Sequence, residues 1–204
     1  FLKALQDGYV AQRLDTGLGL SVGHLIVRPA GQIAGRPRGI AGGADVAKAL
    51  LSDPAVVAAA PRVRFEAFAQ SIAGAAGISV VGIDPKAEAE TSWLPRAMIE
   101  GEFLKPEKPP EPATVVVGEA LARRLDITLG DRFALLAVSE DRSLIAEPFK
   151  LVGVFRTGAA LFDSAVAYVP RGAAARMALA SGDATEVIAR VREPLQAPKV
   201  AARI

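Results

Sequence analysis

Hydrophobic and polar positions change period several times along the chain, and the changes mark out its elements. Leu2, Leu5, Tyr9, Val10 and Leu14 fall near one face at helical spacing, so residues 1–14 read as a helix. Asp15, Gly17 and Gly19 end it. Residues 21–28 alternate in part and read as a strand closed by Pro29. Residues 30–43 are rich in Gly, Pro and Arg, which predicts a surface loop. A helix follows from residue 44 to about Leu51, with Asp45 placed as an N-cap or first-turn acid. Residues 56–71 form a long extended stretch. In it Val63, Phe65, Ala67 and Ala69 share one parity, and Arg62, Arg64, Glu66 and Phe68 share the other. Ile78 to Ile83 returns as a strand that Asp84 and Pro85 terminate, and residues 86–112 hold little regular pattern.

The densest pattern is Val115 to Phe133. Val115 to Val117 is a β-branched run that reads as a buried strand end, and Gly118 breaks it. Glu119 to Leu125 predicts a two-turn helix, because Leu121 and Leu125 lie four apart while Arg123 and Arg124 face away. Gly130 and Asp131 form a turn pair. Phe133–Val138 and Phe149–Phe155 then read as two arms of a hairpin whose tip spans 139–148. A strand at 165–169, a helix at 170–179 and a strand at 185–191 follow.

Two β-α-β units therefore bracket a mainly β segment. The simplest topology is α+β: one split ferredoxin-like lobe, residues 1–75 plus 160–204, interrupted by a β-rich lobe at 76–159.

Composition narrows this picture. Hydrophobic residues make up 51% of the chain but aromatic ones only 5%, so the core is built from Ala, Val, Leu and Ile. No apolar run reaches the roughly 20 residues that span a bilayer. Phe1 to Leu5 lacks the basic start and apolar block of a signal peptide. A net charge of +2 with scattered basic residues gives no nucleic-acid footprint, and the lack of cysteine removes disulfide and thiol chemistry.

Candidate chemistry is sparse. His24, the only histidine, lies in a strand pattern without signposted partners and reads as structural. Gly17 and Gly19 do not make a dinucleotide loop. Asp163 and Ser164 read as a turn before a strand, and Glu119 with Arg123 reads as a solvated i,i+4 pair. Trp93 reads either as an exposed contact or as the anchor of a loop. No catalytic, cofactor or metal residues are assigned. The hairpin tip is the candidate contact site, with charged Glu140, Asp141 and Arg142 beside apolar Leu144 and Ile145. Two readings of it stay open, contact with a partner and packing back onto the hairpin.

Several short motifs occur in a telling order. They are Asp15-Thr-Gly-Leu-Gly19 with His24-Leu-Ile-Val, Val81-Gly-Ile-Asp-Pro85, Val117-Gly-Glu-Ala-Leu-Ala-Arg-Arg-Leu with Gly130-Asp131, and Val152-Gly-Val-Phe-Arg-Thr-Gly158 followed by Phe162-Asp163 and Tyr168-Val-Pro170. Over nearly the whole chain this set resembles the MacB-like periplasmic core domain of ABC transporter permeases of the FtsX type, which include the lipoprotein-release permeases LolC and LolE and macrolide exporters. The resemblance implies porter-like and sabre-like lobes, matching the two lobes above. It implies a non-catalytic periplasmic domain of an inner-membrane protein, with residues 1–14 extending a membrane helix. ATP would be handled by a separate cytoplasmic ATPase, with no cofactor in this domain. The implied partners are that ATPase, a second permease protomer, and a lipoprotein or periplasmic carrier. In the lipoprotein-release permeases the corresponding hairpin can carry a long Pro-rich hook, which the short 139–148 tip lacks, so no hook residues are assigned. A free-standing periplasmic module binding a small molecule or protein is the alternative, because strand–helix–Gly-Asp–strand segments also occur in small ligand-binding barrels.

Overall fold

The computed structural model of the chain describes residues 24–30, 37–107 and 112–204. The helix expected at 1–14, the start of the first strand and the middle of the Gly/Arg loop lie outside the described residues. The elements in order are β1 (Leu25–Val27), α1 (Gly43–Leu51), β2 (Val56–Gln70), β3 (Ala75–Ile83), α2 (Pro85–Thr91), β4 (Met98–Gly101), β5 (Ala113–Gly118), α3 (Glu119–Leu125), β6 (Arg132–Val138), β7 (Leu144–Phe155), α4 (Ala160–Ala165), β8 (Val166–Pro170), α5 (Arg171–Ala178), β9 (Glu186–Val191) and α6 (Ala197–Ala201).

The α+β class holds. Strands β1 and β2 each pair antiparallel with β9, which lies between them, so β1-α1-β2 is a split β-α-β unit of ferredoxin-like kind. Leu25, Val27, Val187, Ala189 and Val191 bury one face of this sheet under Ala47 and Leu50 of α1.

Beyond Arg62, β2 leaves β9 and enters a second arrangement. Residues 63–70 pair with β3, and residues 67–70 pair on the other side with β6. β3 pairs with β8, β8 with β5, β5 with β7, and β7 with β6. The ring β2-β3-β8-β5-β7-β6 thus closes on itself as a six-stranded barrel, which removes free edges. The parity expected for β2 sends Val63, Phe65, Ala67 and Ala69 into the barrel, where Ile78, Val117, Phe133, Leu135, Phe149 and Leu151 also pack. Two helices fill the remaining interior: α3 through Leu121 and Leu125, and α5 through Ala173 and Met177. Gly82 on β3 lets α5 approach, because a Cβ there would lie 2.2 Å from the Cβ of Ala174.

Helix α3 has the bounds its pattern predicts. Asp126 stops it in a left-handed conformation at φ 50°, and Arg123 and Arg124 sit favourably at its C-terminal end. Other segments correct the expectations. Asp84 does not merely end a strand: its carboxylate accepts from the N–H groups of Lys86 and Ala87 at 3.0 Å and caps α2. Pro85 at the first helical position adds a preset φ. Residues 86–112 therefore hold a helix, a 3-10 turn at Leu94–Ala97 and strand β4. Asp163 lies in α4 rather than in a turn, and the C-terminal stretch contains α6. The expected hairpin tip is too long. β7 begins at Leu144, because the ladder runs unbroken from Val138↔Leu144 to Arg132↔Lys150 and tolerates Pro148 on an outward position.

Arg62 departs furthest from its pattern. It is fully buried, and its guanidinium meets the carboxylate of Glu88 on α2 through two hydrogen bonds, Nε to Oε2 at 3.0 Å and Nη2 to Oε1. Nearby, buried Glu186 accepts from Arg28 at 2.6 Å and Arg64 at 3.2 Å. Burial pushes the Glu186 carboxyl up, but the charges of Arg64, Arg28 and Arg62 outweigh it and hold the group below the ordinary glutamate value. Removing one partner of such a pair strands the other in low dielectric, at a cost of about 3–5 kcal/mol, whereas apolar replacement of both is close to neutral. We therefore expect Arg62→Met to lose about that much stability in urea unfolding, and the R62M/E88L double variant to recover most of it.

Candidate partner-contact surface

The hairpin tip is short and closed by its own side chains. Asp141 accepts from the Ser139 hydroxyl at 2.5 Å and from the N–H of Ser143 at 3.0 Å. These bonds, the Ser139 one foremost, hold its carboxyl below the usual aspartate range. Arg142 can then take a left-handed φ of 70° at the point of the turn. Glu140 bonds inward. Its N–H donates to the Ala178 carbonyl at 2.8 Å, and its carboxylate accepts from the N–H groups of Ala180 at 3.3 Å and Gly39 at 3.4 Å. It thereby ties the tip to the end of α5 and to the segment before α1. Ile145 packs on the barrel interior, while Leu144 is 73% exposed on the outside. Of the five candidate residues, Asp141, Arg142 and Leu144 lie at the surface, the Asp141 carboxylate held by the turn, while Glu140 and Ile145 make contacts within the chain.

Leu144 does not stand alone. The strand registers set it opposite Val138 on β6 and set Glu66 opposite Ser79, with Val138 and Glu66 each one residue beyond the last β6–β2 pair, Ala137↔Ala67. The next row is Ala146, Leu136, Phe68 and Gly77, and the one after is Pro148, Ala134, Gln70 and Ala75. Among the described residues no helix lies on this wall of the barrel. Phe68 is 64% exposed and Val138 55%, and Ile72, at the β2–β3 turn, is also exposed. The wall frames an open groove of about 670 Å³ lined by Glu66, Phe68, Gln70, Leu136, Val138 and Leu144, among others. A soluble surface seldom gathers large apolar side chains this way unless something docks there. The parity of β2 already set Phe68 apart from Val63, Phe65 and Ala67; that no described helix or loop covers it emerges only with the ring closed.

The side chains that resembled chemistry serve structure. The N–H of Val191 donates to Nδ1 of His24 at 3.1 Å, fixing the imidazole on β9. Asp163 is buried and accepts from both the N–H and the hydroxyl of Thr157, at 3.0 and 2.7 Å. Glu119 pairs with Arg123 as its spacing predicts, at 2.9 Å, but also takes two bonds from Arg156 at 2.7 and 2.5 Å. Trp93 packs beside Leu94, Phe155 and Tyr168 as a loop anchor. Among the described residues no group of three or more His, Cys, Asp or Glu side chains is placed to hold a metal ion, and no helix is long and apolar enough to cross a membrane.

Comparison with known proteins bears on the fold. The sequence profile of the MacB-like periplasmic core domain matches residues 9–204. The periplasmic region of MacB from Actinobacillus actinomycetemcomitans has a similar structure, with a TM-score of 0.55 at 12% identity over 93% of this chain and 86% of that one. The extracellular domain of the noncanonic ABC-type transporter YknZ from Gram-positive bacteria gives 0.54 at 14% identity, over 78% and 79% of the two chains. At these identities the likeness is one of fold. No curated protein matches the chain in sequence.

A docking surface and a structural surface respond differently to substitution. Phe68 and Leu144 make little of the core, so the F68S/L144S double variant is expected to change unfolding free energy by no more than about 0.5 kcal/mol per site. It should also elute earlier from a hydrophobic-interaction column. A loss several times larger in chemical denaturation would mean that these side chains hold the barrel together.

Proposed function

The chain belongs to the family of MacB-like periplasmic core domains of ABC transporter permeases, and from that membership we propose that it relays ATP-driven motion to a substrate outside the membrane. In this reading a cytoplasmic ATPase subunit closes on the parent permease, and the extracytoplasmic domain moves in response. The movement either expels a substrate or releases a lipoprotein across the cell envelope. Strand β2 joins the proposed porter-like lobe, 1–75 plus 160–204, to the proposed sabre-like lobe, 76–159: it belongs to the first, and its second half pairs with β3 and β6 of the other. A push delivered to one is carried along that strand to the other.

One observation carries the reading. The polar side chains that resemble catalytic groups are tied into the fold, while Phe68, Val138 and Leu144 stand together in solvent on one barrel wall. That is the economy of a domain that works by contact. The short tip at 139–143 has no extended hook, which favours export or direct substrate handling over the gripping of a soluble carrier. The geometry gives less support to a free-standing small-molecule binder, since the barrel interior is packed with side chains and its groove is open and outward.

The test is the topology of the full-length parent. Reporter insertions at Ala73 and Arg142, both in exposed turns, should read out on the far side of the cytoplasmic membrane from the ATPase. A cytoplasmic readout at both positions, or a parent that fractionates away from membranes, would refute the proposal.

A further inference from the structure

We propose that the bare barrel wall is self-complementary and seats the same wall of a second copy of this chain, about a two-fold axis that lies in the plane between the two walls and runs across the strands. The inference rests on the permease reading, which supplies a second protomer; it adds which face meets which.

The charges on the wall lead to this pairing. Glu66 lies exposed at one end, lining the groove with Val138 and Leu144, and no ion pair involves it among the described residues. At the other end Arg132 and Lys150 sit directly opposite each other on β6 and β7, both exposed and likewise without an ion pair among the described residues. Like charges facing across a strand pair destabilise it unless an anion comes between them. Arg132 is six residues from Val138, which lines the same groove as Glu66, so the two ends are about 20 Å apart at strand rise. Between them the surface is apolar apart from Gln70: Phe68, Leu136, Ala134, Ala146 and Pro148. A two-fold rotation laid over this pattern brings the Glu66 end of one copy onto the Arg132 and Lys150 end of the other, and does so twice. The apolar centres then face each other at the spacing of packed sheets, about 10 Å. An unrelated partner would need the reverse charge order by chance, whereas a second copy carries it by symmetry.

Size sets the strength. Four strands by about 20 Å give on the order of 400 Å² per copy, about half of what a standard stable interface buries. Such a contact is weak between free molecules and effective between protomers already held together, where the local concentration is high.

The chain has no cysteine, so a single introduced thiol reports one position. Gln70→Cys places it near the proposed axis, and Lys86→Cys on α2 serves as a remote control. In the membrane-embedded full-length permease, with any cysteine outside these 204 residues replaced by serine, mild oxidant should cross-link Q70C to itself and leave K86C monomeric. Adding Glu66→Arg should lower the Q70C cross-linking several-fold, and further adding Arg132→Glu and Lys150→Glu should restore it. Absence of the Q70C cross-link, indifference to Glu66→Arg, or failure of the charge swap to restore it would each overturn the proposal. Should the reporter insertions place the domain outside while Q70C stays uncross-linked, the permease reading stands and this one falls.

Discussion

Strand β2 belongs to two arrangements at once, and the Arg62–Glu88 ion pair lies where it passes from one to the other. Before Arg62 the strand pairs with β9 in the split β-α-β sheet; after it, with β3 and β6 in the barrel. The inward parity changes at this point: Ala58, Ala60 and Arg62 are buried on even positions, and Val63, Phe65, Ala67 and Ala69 on odd ones. A full guanidinium in the interior is tolerable only because Glu88 meets it with two hydrogen bonds, and Glu88 is in place only because Asp84 and Pro85 start α2. Two modest local signals thus hold the joint between the halves of the domain.

The second constraint is closure. A six-stranded ring leaves no edge to protect, and α3 and α5 bring the apolar bulk that its strands alone do not supply. Among the described residues, helical cover is then concentrated within the barrel and around the split unit, and none of it lies on the β3-β2-β6-β7 wall. The contact surface is in that sense a by-product of how the core is filled, and the tip that adjoins it is fastened down by Glu140.

What the sequence disclosed follows from how local each signal is. Helix α3 was legible to the residue, because Gly118, the Leu121–Leu125 spacing and Asp126 all act within one stretch. The parity that sets Phe68 apart from Val63, Phe65 and Ala67 was legible too. Helix α2 was obscured by the proline-rich run that follows it, although Asp-Pro ahead of Lys-Ala-Glu is a capping signal that could have found it. The burial of Arg62 was hidden by its parity with Arg64 and Glu66, since a charged side chain declares its partner only when α2 folds over it. Ring closure was out of reach because it depends on pairs far apart in sequence, such as Ala67↔Ala137 and Val117↔Ala167. With it the bare wall was out of reach as well, and the chosen tip residues caught only its margin, at Leu144.

The claim that β2 binds both halves into one mechanical unit is tested most directly by native-state hydrogen exchange along that strand. One unit requires the amides of Val57 to Ala60, facing β9, and of Phe65 to Ala69, in the barrel, to share the highest opening free energy and the same denaturant dependence. If the first group opened at a distinctly lower free energy than the second, the two halves would be separate cooperative units joined by a hinge, and the lever reading of the domain would be wrong.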